Sequence, residues 1–174
     1  MDTEMHARQQ EGFTLIELMI TLVVLVIALG IGLPSFATWI KNNRIDTATR
    51  TLAVALQLAR NEAVSRQTVI TVDSGGDWSN GLRIYTDTAA NGNTAYNAAE
   101  DDLIKDLDFS MDGITVASLD GNNNYMSFTN TGLLNEGGNQ RVMAICDDRG
   151  AAEGTAITIN IVGRTTIGGT AACN

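Results

Sequence analysis

The sequence predicts an α+β protein: one long N-terminal helix, membrane-embedded in its first half, packed on an antiparallel, sandwich-like β domain. Three observations predict it. An apolar run from Phe13 to Leu33 is long enough to span a bilayer. A stripe of small and apolar residues at helical spacing follows it. After residue 67 the chain breaks into short β-branched segments separated by turns rich in Gly, Asn and Asp.

The apolar run comes first. Between Phe13 and Leu33 the only polar side chains are Thr14, Glu17 and Thr21. At about 1.5 Å per residue a helix of this length covers roughly 30 Å, the thickness of a hydrocarbon core. A secretory signal peptide has a basic start, a shorter apolar core and a small-x-small cleavage site, and this run has none of them. A one-pass anchor feeding a second domain is expected. Glu17 is the anomaly, because a carboxylate at membrane depth costs on the order of 3 kcal/mol. Pro34 removes one helical N–H and clashes with the preceding turn, so a bend is expected there.

Orientation is not read directly from charge. Asp2, Glu4 and Glu11 precede the span with Arg8, while Lys41 and Arg44 follow it, so the positive-inside rule does not support a cytoplasmic N-terminus. Translation from Met5 would drop Asp2 and Glu4; the sequence leaves the start open.

The helix continues beyond the anchor. Ala48, Leu52, Ala55, Ala59 and Ala63 recur at spacings of four, three, four and four, one face of an α-helix, with Arg50, Gln57, Arg60 and Arg66 largely off it. The pattern ends near Ser65, where "RQTVITV" brings in β-branched residues. Eight strands are then expected, at 68–72, 82–86, 103–109, 114–118, 125–129, 141–146, 156–161 and 164–167, which fits a sandwich or two packed sheets.

Composition limits the chemistry. The chain has 20 acidic and 11 basic residues, a formal charge of −9. Removing residues 1–12, which hold three acids and one base, leaves 17 acids and 10 bases, or −7. That balance argues against nucleic acid as a general partner, since such affinity rests on phosphate neutralisation. The single histidine is His6, so a Ser–His or Cys–His catalytic pair has no histidine in the domain, and a zinc site lacks its ligands. No Gly-rich loop joins a strand to a helix as a phosphate cradle would. An enzyme is not expected, nor a cofactor or metal. Cys146 and Cys173 form no CxxC; outside the cytoplasm they read as a disulfide, and otherwise as two buried thiols.

"DTAANGNTAYNAAEDD" (87–102) invites a calcium loop, but Ala89 and Ala98 occupy two ligand positions, so an Asn/Asp-rich turn is the better reading. Asp101, Asp102, Asp106 and Asp108 read as a solvated strand edge.

Gly12 followed by "FTLIELMITLVVLVIALGIGLP" resembles the class III signal of type IV prepilins and type II secretion pseudopilins. The resemblance implies cleavage by a membrane prepilin peptidase between Gly12 and Phe13 and N-methylation of Phe13. It makes Glu17 the fifth mature residue, whose carboxylate pairs with a neighbouring subunit's N-terminus in the filament, and Pro34 the helix-kinking proline. "LQLARNEAVSRQTVITV", "DWSNGLRIYTD", "FTNTGLL" and "ICDDRG…ITINIVGRTTI" are similar, in that order, to minor pilins and pseudopilins of the GspH/FimT/FimU kind.

The resemblance implies the type IV pilin fold, divided into a leader (1–12), a transmembrane and filament-core helix (13–34), its amphipathic continuation (35–66) and a β-rich domain (67–174). It implies a minor pilin of the tip or initiation complex that primes a pilus for adhesion or twitching. The expected partners are the major pilin and other minor pilins. The expected location is the inner membrane, with the domain in the periplasm, and then the filament. A minor pseudopilin of a type II secretion system is the alternative. A second alternative is a DNA receptor of the FimT kind. Those carry Gly-Arg-x-Arg, whereas here Gly163-Arg164-Thr165-Thr166 keeps only the first arginine, so Arg164 is expected as an ordinary strand residue.

Overall fold

The helix α1 runs from Leu15 to Arg66. In this computed structural model, the residues described are 12–88, 95–108, 113–119, 124–135, 137–150, 154–170 and 173. The chain divides into two compact units, residues 1–40 and 41–174.

In the first unit every described side chain up to Trp39 is exposed, from Phe13 at 85% to Leu29 at 49% among the large apolar residues. The segment is long and apolar enough to cross a membrane, and among the described residues none of its most apolar stretch is buried. Phe36 and Trp39 stack on each other, their ring centroids 5.7 Å apart. The helix assignment passes through position 34, but the side chain of Pro34 is outside the described residues.

In the second unit the helix has a core face. Ala48, Leu52, Ala55, Ala59 and Ala63 are all at most 2% exposed, and Ile45 and Leu56 extend the stripe. The helix ends because Gln67 takes a left-handed conformation, φ 54°, and the Thr68 N–H donates to the Ala63 carbonyl at 3.3 Å. Those are the marks of a Schellman cap. The cap also explains why β1 starts at Ile70 and not at residue 68.

Eight strands follow: β1 (Ile70–Asp73), β2 (Leu82–Thr86), β3 (Asp102–Leu107), β4 (Ile114–Ser118), β5 (Tyr125–Phe128), β6 (Arg141–Asp147), β7 (Thr155–Ile159) and β8 (Thr165–Thr170). They form two four-stranded antiparallel sheets, ordered β3-β2-β1-β5 and β4-β6-β7-β8. One core joins both sheets to the helix: Leu52, Leu56, Ile84 and Phe128 meet Met143, Ile145 and Ile157, each fully buried. The small alanines let the helix backbone approach the sheets closely, which burying larger side chains there would prevent.

Most other strand boundaries differ from the sequence expectation by one to three residues. β7 stops at Ile159, not at 161, because residues 160–163 make the turn to β8, and Arg164 precedes that strand instead of lying in it. The expected strand 103–109 is observed as Asp102–Leu107; residue 109 is outside the described residues.

Candidate assembly and processing elements

At the N-terminal end, Thr14 caps α1. Its Oγ1 accepts from the Glu17 N–H at 3.3 Å, and its carbonyl accepts from the Leu18 N–H at 3.2 Å. Thr14-x-x-Glu17 is therefore the threonine half of a capping box, with Glu17 in the first turn where the helix macrodipole favours an anion. The Thr-x-x-Glu signal stands in the sequence itself, inside the apolar run. Glu17 is exposed, as are Phe13 and every apolar neighbour on the next two turns. Among the described residues, a Cβ on Gly12 would meet nothing within 4 Å, so no described contact requires a glycine there. Residues 1–11 of the leader are outside the described residues.

Where the second unit begins, the β6–β7 turn grips the helix. Both carboxylate oxygens of Asp148 accept from Lys41 Nζ, at 2.7 and 2.8 Å. Arg149 donates through Nε to Asp147 Oδ2 at 2.7 Å and through a terminal nitrogen to Asn42 Oδ1 at 2.8 Å. Asp147 also accepts from the Arg149 amide at 2.9 Å, and its side chain is only 3% exposed. Burial alone would push the Asp147 carboxyl up, but the Arg149 guanidinium and amide, with Lys41 beyond, hold it below the ordinary carboxylate value.

Farther along the helix, Arg60 Nε donates to the Gly132 carbonyl at 3.0 Å. Gly132 (φ 77°) lies under Val64, whose Cγ2 would be 2.8 Å from an added Cβ. Gly163 (φ 73°) has no room either, since a Cβ would overlap the Gly132 carbonyl. The pieces "TGLL" and "VGR", separated in sequence, thus close on one arginine of the helix.

The disulfide Cys146–Cys173 joins β6 to the C-terminal tail, with the Cα atoms 5.9 Å apart. It sits with Ala144, Ala156 and Val142 in a small apolar cluster separate from the main core.

The remaining sequence candidates separate. Arg164 is exposed in the turn before β8, its amide donating to Asn160 Oδ1 at 2.8 Å. Asp87 is buried, and its Oδ2 accepts from Thr71 Oγ1 at 3.4 Å, so the first position of the suspected calcium loop is turned inward; residues 89–94 of that loop are outside the described residues. Among the described residues no cluster of His, Cys, Asp and Glu is arranged to hold a metal. Asp102 and Asp106 do line the exposed edge strand β3, but Asp101 instead accepts from the Thr88 and Asn97 amides, at 3.3 and 2.8 Å, and so organises the loop ahead of it.

Residues 48–163 match the family model described as type II transport protein GspH, and residues 7–33 match the prokaryotic N-terminal methylation motif. The fold is similar to the crystal structure of the type IV minor pilin FimU of Pseudomonas aeruginosa (27% identity, TM-score 0.61, 75% of this chain and 92% of that one). A second crystal form of FimU gives 27% identity and a TM-score of 0.57, over 71% of this chain and 92% of that one. The minor pseudopilin EpsH of the Vibrio cholerae type 2 secretion system is more distant, at 13% identity and TM-score 0.48, covering 71% of this chain and 95% of that one. No curated protein sequence matches the chain.

Proposed function

Because the chain belongs to the GspH family of minor pilins and pseudopilins, we propose that it is a minor type IV pilin of the initiation or tip complex that primes pilus assembly. It is cleaved between Gly12 and Phe13 by the prepilin peptidase, methylated at Phe13, held in the inner membrane with residues 41–174 in the periplasm, and then drawn into the filament. Its partners are the major pilin and other minor pilins. Its role is structural, with no reaction of its own.

The observation that carries this reading is Glu17. It sits exposed in the first turn of a helix whose apolar stretch is exposed among the described residues. In a bundle of such helices the carboxylate meets the α-amino group of a neighbour's Phe13, and the two desolvated charges recover much of their burial cost in each other. The open space around Gly12 among the described residues supports the processing role, because a glycine that no described contact needs is explained by the peptidase that reads it. Pro34 is assigned the bend that the resemblance implies. The pilus is favoured over the secretion filament by the likeness to FimU, a type IV minor pilin, over three quarters of the chain.

DNA uptake is disfavoured by Thr166, which stands where a second arginine would be, and by the −7 of the mature chain. Deleting the gene from its host tests the assignment. Loss of surface pili with normal export of type II substrates supports it, and the reverse pattern moves the chain to the secretion system.

A further inference from the structure

Two open sheets have four edges, and an edge strand with free N–H and C=O groups is a template for another chain. Three of the four edges here are blocked. β3 carries Asp102, Lys105 and Asp106, and its register slips at Ile104, so charge and a bulge both oppose pairing. On β4 the Val116 N–H is taken by Ser79 Oγ at 3.0 Å. β5 is covered by the return of its own chain: Phe128 bridges to Leu134, and the Asn135 amide donates to the Ser127 carbonyl at 2.9 Å.

β8 is different. Its sequence TTIGGT has no charge, and after Thr165 every residue is exposed. Among the described residues nothing pairs with its outer side. The turn fixes which groups face outward. The Gly163 amide donates to the Asn160 carbonyl at 2.9 Å and the Asn160 amide to the Arg164 carbonyl at 3.0 Å, a three-residue loop closed by a left-handed glycine. Counting on from that pair, Thr158 and Thr166 are the next hydrogen-bonded partners, so the N–H and C=O groups of Thr165 and Ile167 point away from β7. Beside Ile167 a cleft of about 240 Å³, lined by Asn42, Ile45, Asp46, Thr49 and Thr155, is placed to take one inward-facing side chain of an added strand. Arg164 stands exposed at the start of the same edge.

We propose that β8 docks an extended segment of a different polypeptide, antiparallel to Thr165–Ile167. That segment is β-branched and uncharged, with a carboxylate just after it to face Arg164. A second copy of β8 does not fit, because the residues that would oppose Arg164 are Gly168, Gly169 and Thr170, none of them acidic. The edge geometry is independent of whether the chain serves a pilus or a secretion filament.

The test uses the full chain in detergent and two dye-labelled, N-acetylated peptides, TVTVTE and TVTVTK, read by fluorescence anisotropy. Saturable binding is expected, tighter for TVTVTE. The substitution Thr165→Pro removes an outward N–H without touching a bond to β7, and edge positions tolerate proline. It should weaken binding by about fivefold, the equivalent of one backbone hydrogen bond. Arg164→Glu should reverse the preference to TVTVTK. Melting and disulfide mapping check that both variants are folded, and Arg164→Glu decides alone should Thr165→Pro fail to fold. The proposal is overturned by no saturable binding, or by a folded Thr165→Pro protein that binds as the parent does. An unchanged preference in Arg164→Glu also overturns it. So does concentration-dependent dimerisation that Thr165→Pro abolishes, which would assign the edge to a second copy.

Discussion

Arg60 and Gly132, 72 positions apart in sequence, are joined by a 3.0 Å hydrogen bond from the guanidinium Nε to the glycine carbonyl. The bond fastens the β5–β6 connection to the helix, and Gly163 fits beneath it only because it has no side chain. Gly163→Ala should therefore cost about 2–4 kcal/mol, from left-handed strain and from displacement of a backbone carbonyl. Gly150→Ala, also left-handed (φ 88°) but with nothing among the described residues within 4 Å of its Cβ, should cost only about 1 kcal/mol. Equal melting temperatures for the two variants would refute the close-packing explanation.

The grip of the β6–β7 turn on the helix should depend on acid. Asp147 has its carboxyl depressed in the folded state, so its contribution is fully present above the unfolded value near 4 and disappears as pH falls through the lower folded value. Asp147→Asn should cost about 1–3 kcal/mol at pH 7, since the mostly buried Arg149 guanidinium loses its carboxylate and keeps only neutral partners such as Asn42. The gap between parent and variant should narrow as pH falls below the unfolded carboxylate value near 4 and through the lower folded one. Denaturant titrations across that range measure it, and a constant gap would mean that the pair is not linked to folding.

Cys146→Ser should lose about 3–4 kcal/mol, the chain-entropy value for a bridge that spans 27 positions. Non-reducing peptide mapping of the protein from the cell envelope should recover the linked pair. Full alkylation of both thiols without reductant would contradict it.

Much of the fold was legible before the structure, for local reasons. The alanine stripe and the β-branched runs are periodic signals, and each marks an element that exists. The partition of eight strands into two sheets was not legible. β1 lies between β2 and β5, and β4 joins β6 across the chain, pairings that no local pattern encodes. The helix end was legible only to within a few residues, because the left-handed Gln67 is a residue type that rarely signals a cap. The contacts of Lys41 and Asn42 with the turn at 147–149 bridge 107 positions and could not be read from spacing. Thr14-x-x-Glu17 could have been read, and was hidden by the apolar run around it.

Processing makes a separable prediction. Intact mass spectrometry of the membrane-extracted protein should give a chain that starts at Phe13 and carries one methyl group on its α-amino nitrogen. Gly12→Val should leave melting unchanged, since a Cβ there meets nothing among the described residues, yet keep the leader attached. A mature N-terminus at any other residue would contradict the role given to Gly12.

The most direct measurement is the number of filaments per cell, and the share of this subunit within them, for Glu17→Gln. Removing the charge eases insertion, and the Gly12–Phe13 bond lies well ahead of the change, so fractionation should show normal membrane level and normal cleavage. Leu18→Ala controls for packing in the same turn. Incorporation should fail, because a neighbour's desolvated ammonium loses its partner, a penalty of roughly 3–5 kcal/mol. Normal filament numbers containing normal amounts of Glu17→Gln would contradict the account: the carboxylate at the start of α1 would then not be an assembly contact.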